Sequence, residues 1–414
     1  MKIKVGVIFG GKSVEHEISI ISAVTAMFKF DQDKYEVIPI YITKDDEWYT
    51  GEMLKDIDNY KDMDLIKRYS TNVILYQDKG RFVLRKKHGL FNRVITDIDI
   101  AFPITHGTNV EDGALQGYLQ TIGIPYVGPN VYSGVVGQDK VYMKRIFDGE
   151  GLPLTKFVWF YDNDYKNDSD EVLKKVKKLT YPLIVKPATT GSSVGIGVAK
   201  NDKELVDAID EACLYDSKII VEEMVTNLKE VNISVLGNNE SQDVSEIEEV
   251  TSKSKFLTYQ DKYIGDGTIS HGAKKYGMKV GVKGTKSYKS GMPEASTIPA
   301  KLTAKEREDV ERIARDAFKV LGSVGLARID FLIDSKTHKV YINEINSIPG
   351  NLSYYLWKAK DIEFTELLND MINIGVKEFK KRNSKTHSFD TNILQGFSGS
   401  KGIKGLKGSK GLKR

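Results

Sequence analysis

Two apolar segments joined by a short polar turn carry the most restrictive pattern in this sequence. The segments are residues 328–333 and 340–350, and residues 334–338 between them are typical of a hairpin connection. Side chains alternate between the two faces of a strand, so a hairpin here gathers polar groups on one face. The polar side chains that would converge are Arg328, Asp330, Glu344 and Asn346.

Oxygen-rich side chains of this kind favour a hard cation. Mg²⁺ binds few protein carboxylates and keeps coordination positions open for phosphate oxygens. The alternative is a solvent-facing strand with ordinary ion pairs. Acidic groups inside an apolar strand are unfavourable without a partner, which favours the metal interpretation. We therefore predict a divalent-cation site formed by Asp330, Glu344 and Asn346.

Length and composition limit the class of protein. A chain of 414 residues is longer than a usual single domain, so two or three domains are expected. The 61 basic and 57 acidic residues leave a net charge of +4, too close to balance to indicate a nucleic-acid partner. A single cysteine, Cys213, excludes an internal disulfide and fits a reducing compartment. The N-terminus lacks the pattern of a signal peptide, and no apolar run reaches membrane-spanning length. We expect a cytoplasmic protein without a membrane span.

The N-terminal segment contains a literal P-loop pattern that we reject. Residues Gly6 to Ser13 match G-x-x-x-x-G-K-S. A P-loop needs its variable residues in a turn, whereas residues 7–9 read as the interior of a strand. The turn is instead predicted at residues 10–11, with Ser13 as a helix N-cap. Glu15 then lies at a helix N-terminus, where an anion is favoured, or is an ordinary capping residue.

Strands and helices alternate through the first third of the chain. Apolar strands at residues 35–42 and 98–104 surround a polar stretch, 44–92, to which we assign no structure. The order is typical of an open parallel sheet, in which ligands bind at the carboxyl ends of the strands. His106 falls at such an end.

A second nucleotide-binding pattern follows. Residues 181–187 form an apolar strand with Lys186 near its end, and the Gly- and Ser-rich stretch 188–198 leads into another strand. Backbone amides in such a stretch can approach phosphates closely, although a flexible hairpin explains the glycines equally well. Glu222 and Glu223 end a later predicted strand, and Glu230 is predicted to precede the next. These residues could hold an adenosine or could be surface charges.

Together these residues resemble the D-alanine–D-alanine ligase family of ATP-grasp enzymes. The resemblance extends from the N-terminus to about residue 381 and rests on motifs that occur in order: Gly10-Gly11-x-Ser13-x-Glu15, His106-Gly107 with Glu111-Asp112-Gly113, Lys186-Pro187 before Gly191-Ser192-Ser193, Tyr259-Gln260-Asp261-Lys262-Tyr263, Arg328-Ile329-Asp330, and Asn343-Glu344-Ile345-Asn346 with Pro349-Gly350. It implies an α/β fold with three domains. We place them at residues 1–125 (N-terminal substrate domain with the parallel sheet), 126–226 (central ATP-grasp domain) and 227–381 (C-terminal catalytic domain).

The resemblance also implies an activity and a set of site residues. The family uses ATP to phosphorylate the carboxylate of one D-alanine, and the amine of a second then attacks the acyl phosphate to give a dipeptide for peptidoglycan precursors. Two Mg²⁺ ions, or Mn²⁺, and a homodimer are implied as well. The implied catalytic residues are Glu15, Ser192, Tyr263 and Arg328. The implied ATP-binding residues are Lys144, Lys186, Ser192, Ser193, Glu222, Glu223, Val225, Glu230 and Lys262. The implied amino-acid-binding residues are Glu15, His106, Gly350, Tyr355 and Leu356. The implied metal ligands are Asp330, Glu344, which would bridge both ions, and Asn346.

Three features depart from the family pattern. The stretch 264–299 is longer than the usual closure loop, and Tyr355 stands where the family places a serine that binds the second substrate. The tail, residues 382–414, repeats Gly every third residue with Lys in register but contains no proline, so we predict a disordered cationic tail rather than a collagen-like one. A ligase with a different second amino acid and a non-catalytic nucleotide-binding homologue stay open as alternatives. A P-loop NTPase acting through Lys12 is the rival that the rejected pattern would imply.

Overall fold

The computed structural model describes residues 2–89, 93–191, 193–250 and 296–388. Ser192, Lys262 and Tyr263, which the family resemblance assigns to the site, lie outside these ranges. Most of the 264–299 stretch and the repeat tail from residue 389 also lie outside them. Within the described residues the fold is mixed α/β, and no helix there is both long and apolar enough to cross a bilayer.

The N-terminal sheet contains a parallel centre with an antiparallel extension. Its strands are Ile3–Gly10 (β1), Tyr35–Ile42 (β2), Trp48–Thr50 (β3), Thr71–Asp78 (β4), Arg81–Lys86 (β5), Val94–Ile98 (β6) and Ile100–Thr105 (β7). Their order is β6-β5-β4-β3-β2-β1-β7. Strand β1 is parallel to both β2 and β7, so the predicted parallel sheet is confirmed for these strands. The polar stretch 44–92, for which the sequence predicts no structure, contributes antiparallel strands. The turn at Lys79 and Gly80 is tight, and a connection this tight joins only antiparallel neighbours, here β4 and β5.

Three helices pack beside this sheet, and they are His16–Met27 (α1), Met63–Tyr69 (α2) and Ala114–Ile122 (α3). Short 3-10 turns occur at Glu52–Lys55 and Ile57–Lys61. Gly6 lies inside β1, which agrees with the rejection of a P-loop. The N-cap prediction for Ser13 is wrong, because the chain makes one further turn and Glu15 takes the N-cap position. The Ser13 hydroxyl instead accepts from Glu15 N at 3.1 Å.

The central sheet is built from Phe157–Tyr161 (β8), Leu183–Pro187 (β9), Gly197–Ala199 (β10) and Lys218–Glu223 (β11), in the antiparallel order β10-β9-β11-β8. Strands β9 and β10 enclose the Gly-rich loop, so the predicted strand–loop–strand unit is confirmed. Its helices are Val131–Gln138 (α4), Lys140–Gly149 (α5), Asp162–Asn167 (α6), Ser169–Val176 (α7) and Asp202–Ala212 (α8).

The C-terminal sheet carries the predicted hairpin. Its strands are Leu228–Gly237 (β12), Gln242–Val250 (β13), Ser296–Thr297 (β14), Gly325–Asp334 (β15) and Val340–Asn346 (β16), in the order β14-β13-β12-β15-β16. Strands β15 and β16 pair antiparallel, which confirms the hairpin. The helices are Ala304–Val320 (α9), Tyr354–Lys358 (α10) and Phe364–Asn383 (α11), with a 3-10 turn at Gly350–Ser353.

One hydrophobic cluster joins the two ends of the chain. Val5 and Phe9 of β1 belong to the same buried cluster as Ile348, Trp357 and Met371. This shared core holds the turn after β16 against the N-terminal sheet. The domain boundaries at residues 126 and 227 stay a prediction.

Candidate active site

The β15–β16 face brings together the four polar residues that the hairpin pattern predicted. The strand register pairs Arg328 with Asn346 and Asp330 with Glu344. Arg328 makes two hydrogen bonds to Asp330, from Nε to Oδ1 at 2.7 Å and from Nη2 to Oδ2 at 2.8 Å. Asn346 Nδ2 donates to Asp330 Oδ2 at 3.2 Å. The convergence of these four side chains is therefore confirmed.

Arg328 keeps its charge in this setting. Burial disfavours the charged guanidinium, but the adjacent Asp330 carboxylate outweighs burial and raises the pKa of Arg328 well above its ordinary value. A bidentate guanidinium–carboxylate pair also fixes the orientation of both groups. A permanent, oriented positive charge on this face can stabilise negative charge that develops on a substrate.

The same face offers hard oxygen ligands for a cation. Asp330 and Glu344 contribute carboxylates from neighbouring strands, and Asn346 adds an amide oxygen. Within the described ranges, no group of three or more His, Cys, Asp or Glu side chains is arranged as a metal site. A set of two carboxylates and an amide suits Mg²⁺ or Mn²⁺ that completes its coordination with phosphate oxygens and water. The donor chemistry therefore fits the metal that the family resemblance implies.

Lys144 and Lys186 meet at one buried carboxylate. Glu222 lies 2.9 Å from Lys144 Nζ and 3.1 Å from Lys186 Nζ, and its Oε2 accepts from the Thr155 hydroxyl at 2.7 Å. Burial would raise the pKa of Glu222, but the two lysines outweigh it and lower that pKa, so the carboxylate stays ionised. The cluster therefore has two positive charges and one negative charge, and its excess positive charge suits a phosphate chain.

The two lysine ammonium groups differ in the hydrogen bonds that they already make. Burial lowers the pKa of Lys144 despite the attraction of Glu222. Among the described residues, the Lys144 ammonium has no well-oriented hydrogen bond, whereas Lys186 Nζ donates to Asn343 Oδ1 at 3.1 Å. The Asn343 contact places Lys186 beside β16. The lysine cluster and the acidic β15–β16 face are therefore neighbours, so a phosphate chain and a metal ion could be held side by side.

Glu15 lies where the Gly-rich loop approaches the N-terminal sheet. A Cβ atom at Gly191 would come within 3.0 Å of Glu15 Oε2, and one at Gly107 within 3.1 Å of the same atom. Gly107 also has a φ of 82°, which an L side chain rarely adopts. Both glycines therefore permit the backbone to pack closely around the Glu15 carboxylate. Ser193 lies in the loop with a φ of 59°.

The residues predicted to line the adenosine are spread over two strands. Glu223 Oε1 accepts from Thr180 N at 3.0 Å, at the end of β11, and Val225 is buried just beyond it. Glu230 was predicted to precede a strand but lies inside β12, because that strand begins earlier, at Leu228. Glu223 directly follows Glu222 of the lysine cluster in β11. Their contacts with a nucleotide stay a prediction.

His106 and Glu111 hold the turn after β16. His106 Nδ1 lies 2.7 Å from Ile348 O, and Nε2 lies 3.2 Å from Ser22 Oγ. Glu111 Oε1 accepts from Ser347 Oγ at 3.0 Å and from Ile348 N at 2.9 Å. Residues of the N-terminal sheet region therefore fix the segment that directly follows the metal-ligand candidates.

Burial shifts the pKa values of Glu111 and His106. It raises the pKa of Glu111 to about 7, with the negative Glu15 adding to the effect and the hydrogen bonds to Glu111 opposing it. It lowers the pKa of His106, against the attraction of Glu15. Burial therefore favours the neutral form of both side chains.

Tyr355 is buried and hydrogen-bonded to a carboxylate. Its hydroxyl donates to Glu248 Oε2 at 3.0 Å, and burial followed by the negative Glu248 raises the pKa of Tyr355 far above its ordinary value. Ser353 precedes it in a left-handed turn with a φ of 45°, and its buried hydroxyl has no hydrogen-bond partner among the described residues. Gly350 begins that turn and Leu356 is fully buried beside it.

The sequence did not indicate a role for some residues of the site. Glu248 and Lys140 contact predicted site residues, yet no motif or spacing marked them. Asn343 belongs to the motif at residues 343–346, but its contact with Lys186 was not predicted. Glu111 was part of a quoted motif, but its hydrogen bonds span more than two hundred residues of sequence and could not be inferred from local pattern. The strand register across β13, β12 and β15 would have pointed to Glu248, because it places Glu248, Asn232 and Asp330 in one row.

Comparison with known proteins gives a consistent result. Two sequence models match this chain, D-ala D-ala ligase N-terminus over residues 4–129 and D-ala D-ala ligase C-terminus over residues 146–280 and 284–373. The D-alanine–D-alanine ligase of Thermosipho melanesiensis is 37% identical over 395 residues, which cover 95% of this chain and 98% of the relative.

Solved structures of similar proteins have the same fold. The D-alanine–D-alanine ligase of Coxiella burnetii aligns with a TM-score of 0.75 and 26% identity, over 92% of this chain and 96% of that one. The VanG D-Ala:D-Ser ligase of Enterococcus faecalis aligns with a TM-score of 0.72 and 29% identity, over 91% of this chain and 100% of that one. By these matches, the chain belongs to the D-alanine–D-alanine ligase family.

Proposed function

We propose that this protein joins two D-alanine molecules into D-alanyl-D-alanine at the expense of ATP, for peptidoglycan precursors. The observation that carries the proposal is the contact of Lys186 with Asn343, which places the buried lysine cluster beside the β15–β16 face. An excess of positive charge for phosphates thus adjoins hard ligands for a metal and a fixed arginine. Phosphoryl transfer depends on such positioning and charge neutralisation.

The reaction proceeds in two steps. A carboxylate oxygen of the first D-alanine attacks the γ-phosphorus of ATP, which releases ADP and forms an acyl phosphate. The amine nitrogen of the second D-alanine then attacks the acyl carbon, and inorganic phosphate leaves with the original carboxylate oxygen. The amine loses a proton as the peptide bond forms.

The charged residues have separate roles in these steps. Lys144 and Lys186 hold the phosphates of ATP, and Glu222 fixes the distance between the two ammonium groups. Arg328, which stays charged, stabilises the oxyanion of the tetrahedral step. Asp330, Glu344 and Asn346 would hold Mg²⁺ or Mn²⁺, which supplies charge neutralisation on the transferred phosphoryl group.

The first amino acid is placed between the Gly-rich loop and the N-terminal sheet. The Glu15 carboxylate, near Gly191 and Gly107, attracts its ammonium group. His106 is held in the same region by Ile348 and lines the substrate position. Ser192, Lys262 and Tyr263 are proposed to close the site as the family resemblance implies. A homodimer in the cytoplasm is part of the same proposal.

A second candidate acceptor is supported by the environment of Tyr355. The family serine at this position would bind a substrate carboxylate, but the Tyr355 hydroxyl is already committed to Glu248. We therefore assign Gly350, Leu356 and the buried Ser353 hydroxyl to the second amino-acid position, whose shape would then differ from that of the family pattern. A related D-amino acid such as D-serine is consequently the alternative second substrate.

Amino-acid-dependent release of phosphate from ATP tests the proposal. The purified protein is supplied with Mg²⁺, ATP and a panel of D- and L-amino acids, alone and in pairs, and the products are identified by mass. We expect release with D-alanine alone and formation of D-alanyl-D-alanine, and we expect Glu344→Gln to abolish turnover because it removes a charge from the metal site. Release that no amino acid stimulates would refute the ligase assignment, and a preferred mixed pair would select the second candidate.

A further inference from the structure

Lys140 contacts two parts of the site and has no role in the reaction proposed above. It is the first residue of α5, and its ammonium donates to Thr190 O at 2.8 Å. The same ammonium lies 4.0 Å from Glu344 Oε2, and the Lys140 side chain is only 12% exposed. Thr190 lies at the base of the Gly-rich loop, and Glu344 is a proposed metal ligand. One lysine therefore connects the loop to the metal position.

The base of this loop is held in a fixed position by further contacts. The backbone N–H of Lys140 donates to Ala188 O at 3.0 Å. Gln138 Nε2 donates to Thr189 O at 2.8 Å, and Asp216 Oδ2 accepts from the backbone N–H of Thr189 at 2.7 Å. Because the loop base is anchored from both sides, the Lys140 ammonium has a defined position between a carbonyl oxygen and a carboxylate.

Each carboxylate of the proposed metal-ligand set has a positively charged side chain nearby. Asp330 is paired with Arg328 through two short hydrogen bonds, at 2.7 and 2.8 Å. Glu344 Oε2 lies 4.0 Å from the Lys140 ammonium, which is a longer contact. A divalent cation would add two positive charges beside these pairs. The Lys140–Glu344 pair is the longer and weaker of the two, so it is the pair that a bound cation would break.

We propose that Lys140 is a positioning residue that neutralises Glu344 in the metal-free protein and yields this carboxylate to the metal when the metal binds. The inference rests on the metal site of the proposed function. Once displaced from Glu344, the ammonium remains beside Thr190 and faces the phosphates bound under the loop.

Binding of Mn²⁺ to the full-length protein without nucleotide tests this inference, with free Mn²⁺ measured by electron paramagnetic resonance. Lys140→Met removes the competing cation and should tighten Mn²⁺ binding by roughly tenfold. Lys140→Arg retains the charge and should bind Mn²⁺ much as the unaltered protein does. Gln138→Met removes a neutral hydrogen bond to the same loop base and should leave Mn²⁺ affinity unchanged. A purely structural role for Lys140 predicts weaker binding in Lys140→Met, the opposite sign.

Glu344→Gln separates this inference from the proposed function. If Glu344→Gln weakens Mn²⁺ binding but Lys140→Met fails to tighten it, the role of Lys140 is overturned and the metal site stands. If Glu344→Gln leaves Mn²⁺ binding unchanged, the metal site and the role of Lys140 are both overturned. Tighter binding in Lys140→Met together with weaker binding in Glu344→Gln supports both.

Discussion

At the scale of single residues, the site depends on buried charges that compensate one another. Glu222 is the clearest case, because it is almost fully buried and stays ionised through Lys144, Lys186 and the hydrogen bond from Thr155. Removing one charged partner leaves a buried charge uncompensated. The resulting loss of folding free energy exceeds that from breaking an exposed ion pair. Mutations here should therefore have strong and specific effects.

Replacement of Lys186 compares the two candidate phosphate sites. Lys186→Ala leaves Glu222 paired with Lys144 alone and removes the excess positive charge, so ATP binding should weaken by roughly tenfold to a hundredfold, the scale of a charge-assisted hydrogen bond. Lys12→Ala alters an exposed residue of the rejected P-loop pattern and should have a small effect. Binding of a fluorescent ATP analogue measures both. The opposite ranking would restore the P-loop interpretation.

Replacement of Tyr355 addresses the choice of the second amino acid. Tyr355→Ser shortens the side chain and releases Glu248 from its hydrogen bond, which changes the volume and polarity beside Arg328. We expect the ratios of kcat/KM among second amino acids to change more than the affinity for ATP does. Steady-state kinetics with D-alanine, D-serine and larger D-amino acids give these ratios. An equal proportional loss for every acceptor would place Tyr355 outside the acceptor position.

At the scale of elements, the turn after β16 is held by residues from the other end of the chain. Glu111 and His106 bind the backbone at Ile348, and Ser22 accepts from Asn351 N at 2.8 Å. The turn directly follows Glu344 and Asn346, so its position and that of the metal-ligand candidates are linked. These contacts explain how α1, β7 and β16 can act as one unit.

The raised pKa of Glu111 predicts a pH-dependent stability. Folding favours the protonated carboxyl, so this contribution is complete below the ordinary pKa of 4.5 and is lost as pH rises through about 7. A shift of this size corresponds to roughly 3 kcal/mol at most. The Tm of the wild type minus the Tm of Glu111→Gln should therefore decrease as pH rises from 4.5 to 7.5. A difference that is constant across this range would contradict the prediction.

At the scale of the whole molecule, the sequence predicted the local units better than their contacts. The β15–β16 hairpin and the strand–loop–strand unit around Lys186 follow from alternation of apolar residues and from glycine placement, which are local properties. The antiparallel half of the N-terminal sheet could not be predicted in this way, because its strands are polar on one face and their apolar alternation is weak.

Contacts between distant segments could not be predicted from the sequence pattern, for a different reason. The partners of Tyr355 and Glu111 lie more than one hundred residues away in sequence. Their pairing depends on how the sheets pack, and local pattern carries no information about it. The family resemblance supplied roles for single residues, but not the separate contacts that Lys140, Glu222 and Glu248 make with them.

Transfer of a carboxylate oxygen tests the central claim most directly. The protein is supplied with ATP, Mg²⁺ and D-alanine labelled with ¹⁸O in its carboxylate, and the released phosphate is examined by mass spectrometry. An acyl-phosphate route requires that phosphate leave with one oxygen from the first D-alanine, so we predict one ¹⁸O atom in each phosphate formed with the dipeptide. Dipeptide formation with unlabelled phosphate would contradict the mechanism, and the arrangement of Lys186, Arg328 and Glu344 would then need another explanation.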